Sequence, residues 1–185
     1  MHKPIRLVPL ALVGAALVAA GCGGSDDSSV SADTTAKTAP AKTAPAVAPA
    51  AENAPKVSGA TDLAHKPKVA KPTGDAPAFL VSRDLVVGKG PAAQDGDTVT
   101  VQYVGVSWST GKEFDASWDA GQPFSFALGQ SQVIPGWDQG VVGMRVGGRR
   151  ELVIPPSLGY GDQGSPPAIL PGETLVFVVD LKKIG

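Results

Sequence analysis

A second cysteine is missing from this chain. Cys22 stands alone, so no intramolecular disulfide can staple the fold, and stability must come from a packed core. Histidine is almost as scarce. His2 and His65 both precede the region where a folded domain is expected, so neither a metal nor any other cofactor is expected there. An excess of one charge is lacking too: 16 Lys and Arg face 17 Asp and Glu, leaving a net charge of -1. No run of five or more like charges interrupts that balance, so a nucleic-acid partner is not expected. Aromatic residues are few and none precedes Phe79. What the chain has in quantity is backbone punctuation, 23 Gly and 17 Pro, with the prolines crowded toward the first half.

The N-terminus reads as an address. His2, Lys3 and Arg6 form a short basic head, and Leu7 to Ala20 is an apolar run of 14 residues. A membrane-crossing helix needs about 20 residues, so the run fits an export signal better than a span. Small residues follow, and Val18-Ala19-Ala20-Gly21-Cys22 resembles a bacterial lipobox, with Ala19 where Leu is more usual. That resemblance implies cleavage before Cys22, lipidation of its thiol and a membrane-anchored protein on the extracytoplasmic face. A plain secretory signal with an incidental cysteine is the other reading.

From Cys22 to Ala76 the chain is Gly/Ser/Asp and then Ala/Pro/Lys/Thr, with Thr38-Ala39-Pro40-Ala41-Lys42 echoed by Thr43-Ala44-Pro45-Ala46. Such a segment has too little apolar area to offset its ordering entropy. Pro40, Pro45, Pro49 and Pro55 forbid a continuous helix. It is therefore expected to be a disordered tether, about 54 residues averaging roughly 40 Å end to end as a coil. The expected organisation is a signal over 1–21, a linker over 22–76 and a domain over 77–185.

Within that domain, residues 98–103 alternate polar with apolar, the period of a strand with one buried face. Leu85-Val86-Val87, Glu113-Phe114-Asp115, residues 123–128 and Arg149 to Ile154 read as further strands. Residues 174–181 are apolar on both faces, which suggests a central strand. Pro135-Gly136 makes a turn, and Trp137 to Val142 is long enough for one or two helical turns. Ser157 to Gly172 is a long Gly/Pro-rich loop, uncommon in a compact domain unless it serves a site. The sum is an α+β domain, an antiparallel sheet of about five strands with one short helix on it.

Several pieces stand in a telling order: Val101-Gln102-Tyr103-Val104-Gly105, Gly111-Lys112-Glu113-Phe114-Asp115-Ala116-Ser117, Pro123-Phe124-Ser125-Phe126, Val133-Ile134-Pro135-Gly136-Trp137, Met144-Arg145-Val146-Gly147, Tyr160-Gly161 and Thr174-Leu175-Val176-Phe177. Together they resemble the FKBP-type peptidyl-prolyl isomerases over Phe79 to Gly185. The resemblance implies a twisted antiparallel sheet curled around a short helix. It also implies a proline pocket lined by Tyr103, Phe114, Asp115, Phe124, Val133, Ile134, Trp137, Tyr160, Ile169 and Phe177. Trp137 is the expected floor, Tyr103, Phe114, Phe124 and Phe177 are walls, and Val133 and Ile134 form the rim. Asp115 and Tyr160 are the polar handles, and the Ile134 N–H is a candidate donor. Phe124 and Phe126 share a strand face, so the pattern leaves open whether one of them is core only.

The implied activity is isomerisation of X-Pro bonds in exported, unfolded proteins, with macrolides as possible pocket ligands and a monomer as the default state. A non-catalytic peptide-binding or chaperone module on the same fold is the alternative. Ala120 stands where the family carries an arginine near the aspartate, Leu158 replaces an aromatic residue, and Ser165 replaces a loop histidine.

Overall fold

The structure, a computed structural model, describes residues 53–185. The expected signal segment, Cys22 and the first part of the expected tether lie outside the described residues.

Among the described residues, eight strands and one α-helix are formed. β1 (Val57–Ser58) and β2 (Lys68–Val69) pair with each other. The other six make one antiparallel sheet: β3 (Val81–Val86), β4 (Thr98–Ser107), β5 (Glu113–Ala116), β6 (Phe124–Ala127), β7 (Arg149–Ile154) and β8 (Leu175–Ile184). Their order is β3-β7-β8-β4-β5, with β6 also pairing with β4. The strand expected to be central is central, because β8 pairs with both β7 and β4. The first strand of the sheet starts at Val81 rather than Leu85.

The helix, α1 (Pro135–Gly140), begins two residues before Trp137, since proline at its first turn has φ already set for the helix. Two glycines let it lie flat on β7. A Cβ at Gly136 would collide with the Ile154 side chain, and one at Gly140 would meet Leu152 Cδ2 at 2.7 Å. Arg150 then closes the C-terminal end: its Nη1 donates to the carbonyls of Gly140 (2.8 Å) and Val142 (3.1 Å), while Asp84 holds its other edge. The long loop contains two short 3-10 turns, Pro156–Leu158 and Gly161–Gln163, and a bridge from Ser165 to Ile169.

The sheet has two covered faces. One packs Leu152, Ile154, Phe177, Val179 and Leu181 against α1. The other carries Val81, Val104, Val106, Trp108, Val153 and Val176. Here the structure corrects the expected tether, whose last part is ordered. Residues 53–76 form a strap over this second face, with Pro55, Pro67 and Pro72 buried and Val69 packed on the valines. The composition is poor in apolar side chains, as read, but the sheet supplies the apolar surface and the strap's carbonyls find donors. Arg149 donates to the carbonyls of Gly59 and His65, Arg83 to that of Pro55, and Trp108 to that of Gly74.

Glu151 is buried in this face at 1% exposure. Arg83 Nη2 lies 2.7 Å from its Oε2, yet neither carboxylate oxygen accepts a well-aligned hydrogen bond. Burial therefore wins over Arg83 and pushes the Glu151 carboxyl up to about 7. The folded chain thus holds a proton that the unfolded chain has released between about pH 4.5 and 7. The associated stability is present below that window and is lost as pH rises through it, at most about 3 kcal/mol. Melting curves of wild type and Glu151→Gln should show wild type losing stability relative to the variant from pH 5 to 8. A constant difference would show that Arg83 keeps the carboxylate ionised throughout.

Candidate active site

Four strands, the helix and the long loop bring the predicted site residues to one place. Trp137 sits at the start of α1 and is fully buried. The Tyr103 ring from β4 meets it edge-on at 5.1 Å and 84°, and the Phe177 ring from β8 meets it at 5.2 Å and 90°. Phe124 from β6 stands 6.2 Å from Trp137 and 6.1 Å from Tyr103. Phe114 from β5 completes the set at 5.5 Å and 90° from Phe177. Edge-to-face contacts of this kind set each ring's positive rim on its neighbour's negative face, so they orient as well as bury.

The ring cluster reaches solvent at Phe114, Asp115, Phe124 and Tyr160, which are all half-buried. Val133 and Ile134 stand beside it and, with Tyr160, line an open groove of about 1000 Å³ that continues past Gln132, Pro135 and Gln163. Ile169 is placed in the same core cluster at 2% exposure. Nine of the ten expected pocket residues belong to this core cluster or pack against it, and Asp115 joins it through the Tyr103 hydroxyl. Cys22 is outside the described residues.

Two details separate floor from handle. Phe124 and Phe126 stack at 5.6 Å and 22°, but Phe126 is 3% exposed while Phe124 is half-buried. Phe126 is therefore core behind the wall, and also contacts Trp137 at 5.6 Å. Gly105 was not singled out by sequence, although it makes room for two walls. A Cβ there would lie 2.7 Å from Phe114 Cζ and 2.8 Å from Phe177 Cε1. The available signal was a glycine inside an alternating strand, which marks close approach.

The polar edge is compact. The Tyr103 hydroxyl donates to Asp115 Oδ2 at 2.6 Å. Burial raises the Asp115 carboxyl, the Tyr103 bond and the Ala116 N–H oppose it, and the Asp119 charge adds to the rise. Burial also raises Tyr103, and pushes Tyr160 up to about 12 with help from the Asp115 charge. Both phenols are thus neutral donors at any physiological pH. The Ile134 carbonyl accepts from Trp137 N at 2.9 Å and Asp138 N at 3.3 Å, while its own N–H has no partner among the described residues. Trp137 Nε1 is likewise buried and without a partner among the described residues. The site therefore offers apolar walls, the unpaired Ile134 N–H and the Tyr160 phenol. No group of three or more metal-ligating side chains occurs among the described residues.

The family described as FKBP-type peptidyl-prolyl cis-trans isomerase matches residues 90–182. An FK506-binding protein of Streptomyces anulatus is 61% identical over 117 residues, covering 63% of this chain and 94% of that protein. A probable FK506-binding protein of Corynebacterium glutamicum is 51% identical over 116 residues, covering 63% of this chain and 96% of that protein. Among solved structures, the crystal structure of AtFKBP13 superposes with a TM-score of 0.55 at 37% identity, covering 60% of this chain and 96% of that one.

Proposed function

The chain belongs to the FKBP-type peptidyl-prolyl cis-trans isomerases, and from that premise we propose that it turns X-Pro bonds of exported proteins from a lipid anchor outside the membrane. The isomerase activity follows from family membership; the substrate set, the anchor and the residue roles are our reading.

An X-Pro amide resists rotation because resonance gives its C–N bond double-bond character, a barrier of about 18–20 kcal/mol. Twisting the bond removes that resonance and makes the carbonyl less dipolar. A dry, ring-lined pocket therefore binds the twisted amide better than the planar one, which is differential binding of the transition state. Trp137 supports the pyrrolidine ring, and Tyr103, Phe114, Phe124 and Phe177 exclude water from it. The Ile134 N–H holds a substrate carbonyl at the rim. Asp115 and the Tyr160 hydroxyl orient the twisting amide, with Tyr103 fixing Asp115. The observation that carries this reading is the meeting of four rings around Trp137 with the Tyr103–Asp115 pair at their solvent edge.

The anchor is supported by the lone Cys22 directly after the apolar run and the small residues. Two or three acyl chains there give stable membrane attachment, at about 0.8 kcal/mol per buried methylene. The expected result is a wild-type chain in the detergent phase on phase partition and a Cys22→Ser chain in the aqueous phase. Wild type in the aqueous phase would remove the anchor and leave the isomerase. The catalytic reading is tested by a protease-coupled assay on a proline tetrapeptide. A rate no higher than background, with a macrolide still bound, would leave only a binding module.

A further inference from the structure

The strand that carries Phe114 and Asp115 is held sparsely by its own sheet. β5 is an edge strand and pairs with β4 at three positions only, Val104 to Ala116, Gly105 to Asp115 and Val106 to Glu113. The register shifts between Gly105 and Val106, so Phe114 has no residue opposite it. A bulge of this kind re-aims a side chain and also weakens the ladder that holds it. Beyond the bulge, Ser117 ties the following turn to Gln102 and to the Tyr103 amide. The outer side of the strand depends on the strap.

Lys66, between β1 and β2, places its Nζ 2.7 Å from Glu113 Oε1 and 2.8 Å from both carboxylate oxygens of Asp119. Those two acids bracket the site: Glu113 immediately precedes Phe114, and Asp119 lies in the turn after Asp115. The strap touches the preceding turn as well, where a Cβ at Gly111 would lie 2.6 Å from Lys71 Cγ. One ammonium thus spans the segment that carries a pocket wall and the acidic handle.

We propose that Lys66 is a positioning residue for isomerisation, setting Phe114 and Asp115 against the pocket by bridging Glu113 to Asp119 from the strap. It touches no substrate and acts only through those two carboxylates. The inference rests on the reading above, in which Phe114 and Asp115 face the proline. A second effect follows from charge. The groups facing Asp115 are the Tyr103 and Tyr160 hydroxyls and the Asp119 carboxylate, and Lys66 neutralises the last of these. Lys66 and Glu113 are each about one-third exposed and Asp119 two-thirds, so the bridge adds little to global stability. A role in activity and a role in folding are therefore separable.

The test uses the full chain with four substitutions assayed beside wild type. Lys66→Met keeps the apolar stem and removes the charge; it should lower kcat/KM by about three- to tenfold, because a small misplacement at the reacting centre is costly. Its unfolding midpoint should stay at the wild-type value. Lys66→Arg, whose fork can bridge two carboxylates, should restore kcat/KM to within about twofold. Lys182→Ala removes another strap contact, from Lys182 Nζ to the Leu63 carbonyl, far along the sheet from β5, and should leave turnover unchanged. Wild-type kcat/KM in Lys66→Met, a loss that only tracks the folded fraction, or no rescue by arginine would overturn the proposal. Asp115→Ala distinguishes the two levels. If it is slow while Lys66→Met is at full rate, only the positioning role fails; if it is itself at full rate, the reading of the site fails and takes the positioning role with it.

Discussion

Trp137→Ala should destabilise the domain by about 3–5 kcal/mol and abolish measurable isomerisation together, whereas Asp115→Ala should cost activity alone. The indole is fully buried and meets Tyr103, Phe124, Phe126 and Phe177 within 6.2 Å. Removing it leaves a void bounded by four aromatic rings in a strand-and-helix frame that cannot collapse around it. The helix is pinned at both ends, by Gly136 against Ile154 and by Arg150 on its last carbonyls. Asp115 is different. Its carboxyl is raised by burial, so the folded state gains little from its charge. Losing it should shift stability by less than about 1 kcal/mol while kcat/KM drops about tenfold, the equivalent of one charge-assisted hydrogen bond. Denaturant titration and the protease-coupled assay read the two quantities separately. Equal destabilisation by both substitutions would contradict the division into floor and handle.

The second large effect lies on the opposite face of the sheet. Arg149 is fully buried and Asp180 is 2% exposed; the guanidinium bonds both carboxylate oxygens and also the carbonyls of Gly59 and His65. Arg149→Met should lower stability by about 3–5 kcal/mol, because it strands a buried carboxylate. Two strap carbonyls lose their donor in the same step. Arg149→Met with Asp180→Leu should recover most of that loss, since a buried ion pair replaced by packed apolar groups is close to neutral. Hydrogen exchange in residues 55–75 should nevertheless stay faster than wild type in both variants, as the strap has lost its anchor in each. A double variant as unstable as the single one would show that the strap contacts, not the stranded charge, carry the cost.

Much of this architecture was legible from local patterns. The alternation in residues 98–103, the two-faced apolar run in 174–181 and the Pro135-Gly136-Trp137 sequence each point to the element that forms there. The aromatic set of the pocket was legible through spacing across the chain rather than through any single residue. Phe126 shows the limit: it shares a strand face with Phe124, and no periodicity tells which of two stacked rings is open to solvent.

The strap was not legible, and neither was Lys66. Residues 53–76 hold prolines, lysines and small residues, a composition that by itself describes a solvated tether. What orders them is surface they do not contain: the valines of β4, β7 and β8, and the guanidinium of Arg149, from 84 to 90 residues further along the chain. The sequence by itself determined the strands of the main sheet, the short helix to within two residues and the inventory of rings, because those follow from side-chain period and turn chemistry within a few residues. Only the tertiary structure decided which rings face solvent, which cation pairs with the acids flanking the site strand and that residues 53–76 lie on the sheet. Those outcomes depend on burial and charge pairing between distant segments, and no local pattern encodes them.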